Sequence, residues 1–295
     1  MIPIEDWRAR AQYFSVGSYQ IAYWASENAD DKPTLLLIHG YPTSSWDWSA
    51  LWPSLEEMFH LVALDMLGFG LSDKPRNIRY SIMQQADLQE ALLQHLGIGA
   101  AHVFTHDYGN TVGQELLARD HEKSLSFAIK SICFLNGGLF PEQHRARPIQ
   151  KLGLTPFGWL LGLMLSPSRF RKTFDEIFGP ETKASDEEIN GHWAMIAHNG
   201  GRSVLHKLLN YIPERIEHRE RWVGALKNTV TPMRLINGGF DPVSGEHLYH
   251  YYKEQAPNAD AVLLPKIGHY PHTEAPSDVL AAFTDFHATI RSGVH

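Results

Sequence analysis

Six short, largely uninterrupted apolar runs constrain this chain more than any other feature. They fall at residues 34–38, 61–64, 102–104, 129–135, 233–236 and 261–264. Each is too short for a buried helix and lacks the polar alternation of a strand with one wet face, so they read as strands covered on both sides. Helical patterns lie between them, at 46–58, 81–96, 111–120, 245–255 and 278–290. Strand and helix alternate, which defines the α/β class. Residues 13–16 and 19–24, joined across Gly17-Ser18, alternate as an opening hairpin. The expectation is a mostly parallel eight-stranded sheet flanked by helices.

The alternation breaks between residues 140 and 226, where the sequence turns helical and aromatic. This divides the chain into a core, 1–139 with 227–295, and a helical cap, 140–226, inserted after the sixth core strand. Ligands of open α/β sheets bind at the carboxyl ends of the strands, so a cap there would roof the site and exclude water. A second domain used only for packing or dimerisation is the alternative, and a homodimer is left open.

Net charge is -7 at pH 7, with Lys and Arg scattered among acids. That argues against nucleic acid and for a small-molecule partner. Cys133 is the only cysteine; it excludes an internal disulfide and reads as a buried strand residue. Residues 1–6 show no signal-peptide pattern, so the cytoplasm is the expected location. The longest oily run, 157–165, is far below the roughly 20 residues of a transmembrane helix. Weak attachment to a membrane surface stays open.

Chemistry concentrates at His106-Asp107-Tyr108-Gly109-Asn110, between a predicted strand and a predicted helix. A sharp turn of this kind carries the exposed nucleophile of α/β-hydrolases, normally Ser. Here the position holds Asp107, which can attack an sp³ carbon without a base and form an alkyl ester. Asp241 and His269 follow, each just after a predicted strand, in the fold's order of nucleophile, acid and His. Asp241 would orient the imidazole and stabilise its charge. Among the 17 His, competitors are His39 and His106, read as shaping loops, and His272.

The backbone N–H groups of Tyr41 and Tyr108 are the expected oxyanion hole. Pro42 restricts Tyr41 and permits a cis bond between them. The glycine-rich stretch 65–73 lacks phosphate-loop spacing and reads as a structural turn. No His, Cys and Asp grouping has zinc spacing, so neither metal nor cofactor is expected.

Residues 38–45, 65–75, 106–109, Asp241-Pro242 and 268–270 resemble the haloalkane dehalogenase and epoxide hydrolase branch of the α/β-hydrolases. Stretches outside these motifs, such as Asn136-Gly137-Gly138 and residues 221–226, are similar to the mesoderm-specific transcript proteins and their bacterial relatives. Haloalkane dehalogenases typically place Trp after the nucleophile and Asn after His-Gly; this chain has Tyr108 and Tyr41 there. Fluoroacetate-type enzymes carry Arg beside the nucleophile, so Tyr108 argues against them. Asn136 stands where some dehalogenases carry their acid, which leaves Asp241 in that role.

Epoxide hydrolases use cap tyrosines to protonate the opening oxygen. The resemblance implies this part for Tyr211, with Trp159, Trp193, His198 or Asn199 supplying what a second tyrosine would. The expected activity is hydrolysis of a small apolar electrophile by water through an Asp107 ester, with epoxides leading. Carbon–halogen, ester or lactone hydrolysis, or a non-catalytic binding role, are the alternatives.

Overall fold

Leu35 and Leu37 of one strand face one half of the core, while Leu36 and Ile38 face the other, and all four are fully buried. The same split recurs in the neighbours: Val62 and Val103 join the second group, Ala63 and Phe104 the first. Unbroken apolar runs arise because both faces of the sheet are covered. The computed structural model describes residues 1–28, 31–256 and 260–292.

The strands are β1 Gln12–Val16, β2 Tyr19–Ala25, β3 Thr34–Ile38, β4 His60–Leu64, β5 Ala100–Thr105, β6 Ala128–Phe134, β7 Met233–Gly238 and β8 Asp260–Leu264. They form one sheet in the order β1-β2-β4-β3-β5-β6-β7-β8. Pairing is antiparallel for β1 with β2 and β2 with β4, and parallel from β4 to β8. Strand β3 lies between β4 and β5, so strand addition changes direction there. The loops leaving β3 and β5 diverge at this switch point and leave a crevice.

Two helices differ from expectation. The pattern at 46–58 is a 3-10 turn, Ser45–Ala50, followed by the short helix Trp52–Glu56. Pro53 has no N–H to continue a helix and is tolerated only in a first turn, so the segment restarts there. The helix expected from Thr111 begins at Tyr108 and runs to His121, which makes Asp107 its N-cap.

Between β6 and β7 the chain forms a series of short helices. Leu161, Phe170, Phe174, Ile177 and Leu205 from this insertion face Asp107 and His269 across a cavity. The last helix, Arg219–Asn228, lies instead along Tyr108–His121. Glu115, buried on that core helix, accepts from Arg221 Nε at 2.7 Å and Trp222 Nε1 at 2.8 Å, and needs those donors to stay ionised.

Candidate active site

Asp107 adopts φ +47° and ψ −104°, a conformation unfavourable for any residue with a Cβ. The surroundings hold it there. Its N–H donates to the Asn136 carbonyl at 2.8 Å, and Gly109 N–H donates to the His106 carbonyl at 2.7 Å. A Cβ at Gly109 would lie 2.5 Å from the Ile38 carbonyl, so only glycine lets the helix start this close to β3. The turn pushes the Asp107 carboxylate into the cavity, where Oδ2 accepts from Tyr41 N–H at 3.0 Å. The Tyr41-Pro42 bond is cis.

His269 Nε2 stands 3.8 Å from Asp107 Oδ1, and its Nδ1 is 2.7 Å from Asp241 Oδ2. Asp241 also accepts from Ser244 Oγ and Val243 N–H, each at 2.7 Å, and from Asn136 Nδ2 at 2.9 Å. Burial favours its neutral form, but His269 and these donors hold it well below the usual carboxylate range. Burial likewise opposes charge on His269, yet Asp241 and then Asp107 outweigh it and lift the imidazole to about 9. The loop is pinned by Glu274, which accepts from the N–H groups of Gly268 and Tyr270, and by His106 Nε2 against the His269 carbonyl at 2.8 Å. It is thus the ring of His269 that meets Asp241, while His272 packs against Trp48 and His106.

The cavity is about 90 Å³, room for roughly half a dozen waters, and is mostly apolar. Arg147, Gln150 and Thr173 are its polar groups apart from Asp107, His269 and Tyr41. Tyr211 is buried behind it, with its ring 6.2 Å from that of Tyr41, and its hydroxyl accepts from Gln150 Nε2 at 3.3 Å. Burial and then Asp107 push the Tyr211 phenol well above its usual value, so it stays a proton donor. Arg215 stacks over that ring at 4.5 Å, and donates to Thr111 Oγ1 at 2.7 Å and to the Asp107 carbonyl at 3.2 Å. Sequence reasoning missed Arg215; its spacing of four from Tyr211 on one helix was the available signal. Nothing in the local sequence singles out Arg147 or Gln150.

The three expected substrate contacts, Tyr211, Trp159 and Trp193, are absent from the cavity lining, Tyr211 lying directly behind it. Trp159 is 52% exposed on the outer side of the insertion. Trp193 packs against Phe170 and Arg202, one layer behind the lining. Both were expected from aromatic content alone, which does not tell whether a side chain faces the cavity, packs behind it or points outward. The Tyr108 phenol is enclosed by the rings of Phe69 and Tyr211, beside Gln85 and Glu214, so only its backbone is near the site.

Among the described residues, one trio of metal-ligand type, Asp47, His106 and His272, brings its atoms together only to within 4.8 Å. Ligands of a tetrahedral zinc sit about 3.4 Å apart, so this buried group would have to contract, and none of it lines the cavity.

A sheet of this topology with a sharp strand-to-helix turn after β5 has the architecture of the α/β-hydrolase class, and residues 33–276 match the alpha/beta hydrolase fold family. The chain belongs to that family. It is 41% identical to the mesoderm-specific transcript homolog protein of Bos taurus over 293 residues, covering 96% of this chain and 87% of the relative. LipZ of Mycobacterium tuberculosis, named as a hydrolase, is 37% identical over 273 residues, covering 92% and 94%. Among solved structures, haloalkane dehalogenase DbeA from Bradyrhizobium elkani superposes with a TM-score of 0.79 at 22% identity, covering 96% and 99%. No described helix is long and apolar enough to cross a membrane.

Proposed function

We propose that this chain hydrolyses a small apolar epoxide to a diol through an alkyl-enzyme ester on Asp107. One observation carries the reading: the group presented at the elbow is a carboxylate, bonded to Tyr41 N–H and facing an imidazole held by a second carboxylate. An acyl-transfer enzyme needs a hydroxyl or thiol there.

In the first step Asp107 Oδ1 attacks a ring carbon, the carbon–oxygen bond breaks, and the opening oxygen takes the Tyr211 phenol proton. Arg215 against the Tyr211 ring offsets the phenolate charge. Esterification removes the Asp107 charge, one of the influences that raise the pKa of His269, so the imidazolium loses its proton to solvent more readily and the neutral ring is free to act as the base. His269 Nε2 then takes a proton from water, and the hydroxide adds to the ester carbonyl. Tyr41 N–H, with Tyr108 N–H beside it at the helix start, would stabilise the oxyanion. Collapse transfers the His269 proton to the departing alcohol, and the acid proton of the regenerated Asp107 returns to the phenolate.

The helices of the insertion serve as the cap that keeps bulk water from the ester. The neutral Tyr211 phenol favours an alkoxide leaving group over a halide, because it supplies a proton as well as a hydrogen bond. Intact-mass measurement of His269→Gln after exposure to epoxides and haloalkanes tests the scheme. The expected result is a mass increase equal to the epoxide, absent in Asp107→Ala. No added mass from any compound, with wild-type turnover unaffected by Asp107→Ala, would exclude the alkyl ester; bromide release would move the assignment to carbon–halogen bonds.

A further inference from the structure

Large apolar side chains are exposed unevenly on this molecule. Of eleven such described residues, six lie within positions 149–164: Ile149, Leu154, Phe157, Trp159, Leu163 and Met164. Phe157 and Leu163 are 63% and 69% exposed. They belong to the helices Pro148–Gly153 and Leu160–Met164 and the turn between, and are held in place rather than loose. Gly158 N–H donates to the Thr155 carbonyl at 2.9 Å, and Arg202 Nε donates to the Gly162 carbonyl at 2.9 Å. The same two helices have a second face: Gln150, Leu161 and Leu165 beside them line the cavity, and Ile149 is both cavity lining and exposed. The apolar surface is therefore continuous with the cavity mouth.

The charge around this patch is equally uneven. Residues 143–172 carry six Lys and Arg and no Asp or Glu, within a chain of net charge -7. Arg147 and Arg171 are paired to Glu176 and Asp186. Among the described residues, Arg145, Lys151, Arg169 and Lys172 have no carboxylate at ion-pair distance, and all four are exposed.

We propose that this face docks on an anionic phospholipid bilayer, with Phe157, Trp159, Leu163 and Met164 inserted among the headgroups and the exposed cations of residues 143–172 on lipid phosphates. Exposed apolar residues that include an interfacial Trp, flanked in the sequence by exposed Lys and Arg, satisfy both halves of interfacial binding. A protein partner would meet the same apolar residues, but an uncompensated basic zone on an acidic chain is complementary to a negatively charged surface. Docked in this way, the mouth at Ile149 opens toward the bilayer, where apolar molecules concentrate. The docking stands apart from the chemistry at Asp107 and is tested without it.

The experiment is sedimentation of the full chain with sucrose-loaded vesicles of phosphatidylcholine, alone or mixed with phosphatidylglycerol. Wild type should pellet with the mixed vesicles, bind the neutral ones at least about tenfold more weakly, and release with added salt. Trp159 emission should shift to the blue on binding and lose that shift in Trp159→Leu. Phe157→Ser with Leu163→Ser should weaken binding about tenfold or more. Lys151→Glu with Lys172→Glu should abolish the preference for phosphatidylglycerol. All these side chains are exposed, so melting temperature should stay near wild type. The proposal is overturned if wild type remains in the supernatant at every composition, if both double variants bind like wild type, or if the patch is covered in a stable dimer that Phe157→Ser dissociates.

Discussion

Asn136 touches both acidic residues of the candidate triad: its Nδ2 donates to Asp241 Oδ2 at 2.9 Å, and its backbone carbonyl accepts the Asp107 backbone N–H at 2.8 Å. Its Oδ1 also accepts from Gly238 N–H at 2.6 Å, tying the end of β6 to the end of β7. Asn136→Ala should therefore slow ester hydrolysis by roughly 10–100-fold and cost about 2 kcal/mol of stability, the loss expected for a buried bond to a charged acceptor. Single-turnover kinetics should show the second step slowed more than the first. An unchanged second step would mean that Ser244 and Val243 suffice to place Asp241.

The raised pKa of His269 makes folding depend on pH. Its charged form is favoured by the fold, so the stabilisation is fully present below the unfolded value of 6.5 and is lost as pH rises through about 9. Between those limits the wild type should lose on the order of 3 kcal/mol relative to His269→Gln, whose stability has no such dependence. Urea unfolding at a series of pH values reads the difference. Parallel curves would show that the imidazole is not held charged.

Tyr211→Phe separates leaving groups. Removing the phenol while keeping the ring over Arg215 should slow alkylation by epoxides about 100-fold, the usual weight of a general acid. Alkylation by a bromoalkane, which needs no proton, should change little. Equal losses with both substrates would assign Tyr211 to packing alone.

Gly70 adopts φ +47°, and a Cβ there would lie 1.9 Å from Asp65 Oδ2. Asp65 in turn holds Ser45 through its N–H and Oγ, and accepts from Leu71 N–H at 2.6 Å. Gly70→Ala should cost about 3 kcal/mol or more, seen as a lowered midpoint of thermal unfolding. A small effect would mean that the turn at 65–73 can relax without disturbing the loop after β3.

The sheet was readable because each buried strand leaves a run of apolar residues and each covering helix a different period. Asp107, Asp241 and His269 were readable as strand-end residues in a fixed order, and the structure brings the two carboxylates to opposite nitrogens of the His269 ring. The insertion resisted the same reading. It is rich in aromatic residues throughout, and aromatic content by itself carries no mark of which side chain faces the cavity. Phe170 and Phe174 line the cavity, Trp193 sits behind them, and Trp159 faces outward.

Sequence alone determined the layered α/β architecture and the presence of a carboxylate at the turn after β5, because both depend on local pattern and on the stereochemistry of one turn. Tertiary structure alone decided what surrounds that carboxylate. The Tyr108 ring is turned away from the cavity, the Tyr211 phenol is brought near it under Arg215, and Asn136 joins the two acids. These arrangements come from segments 39 to 105 residues apart in the chain meeting across β-sheet and insertion, where packing rather than sequence spacing sets which side chain reaches the site.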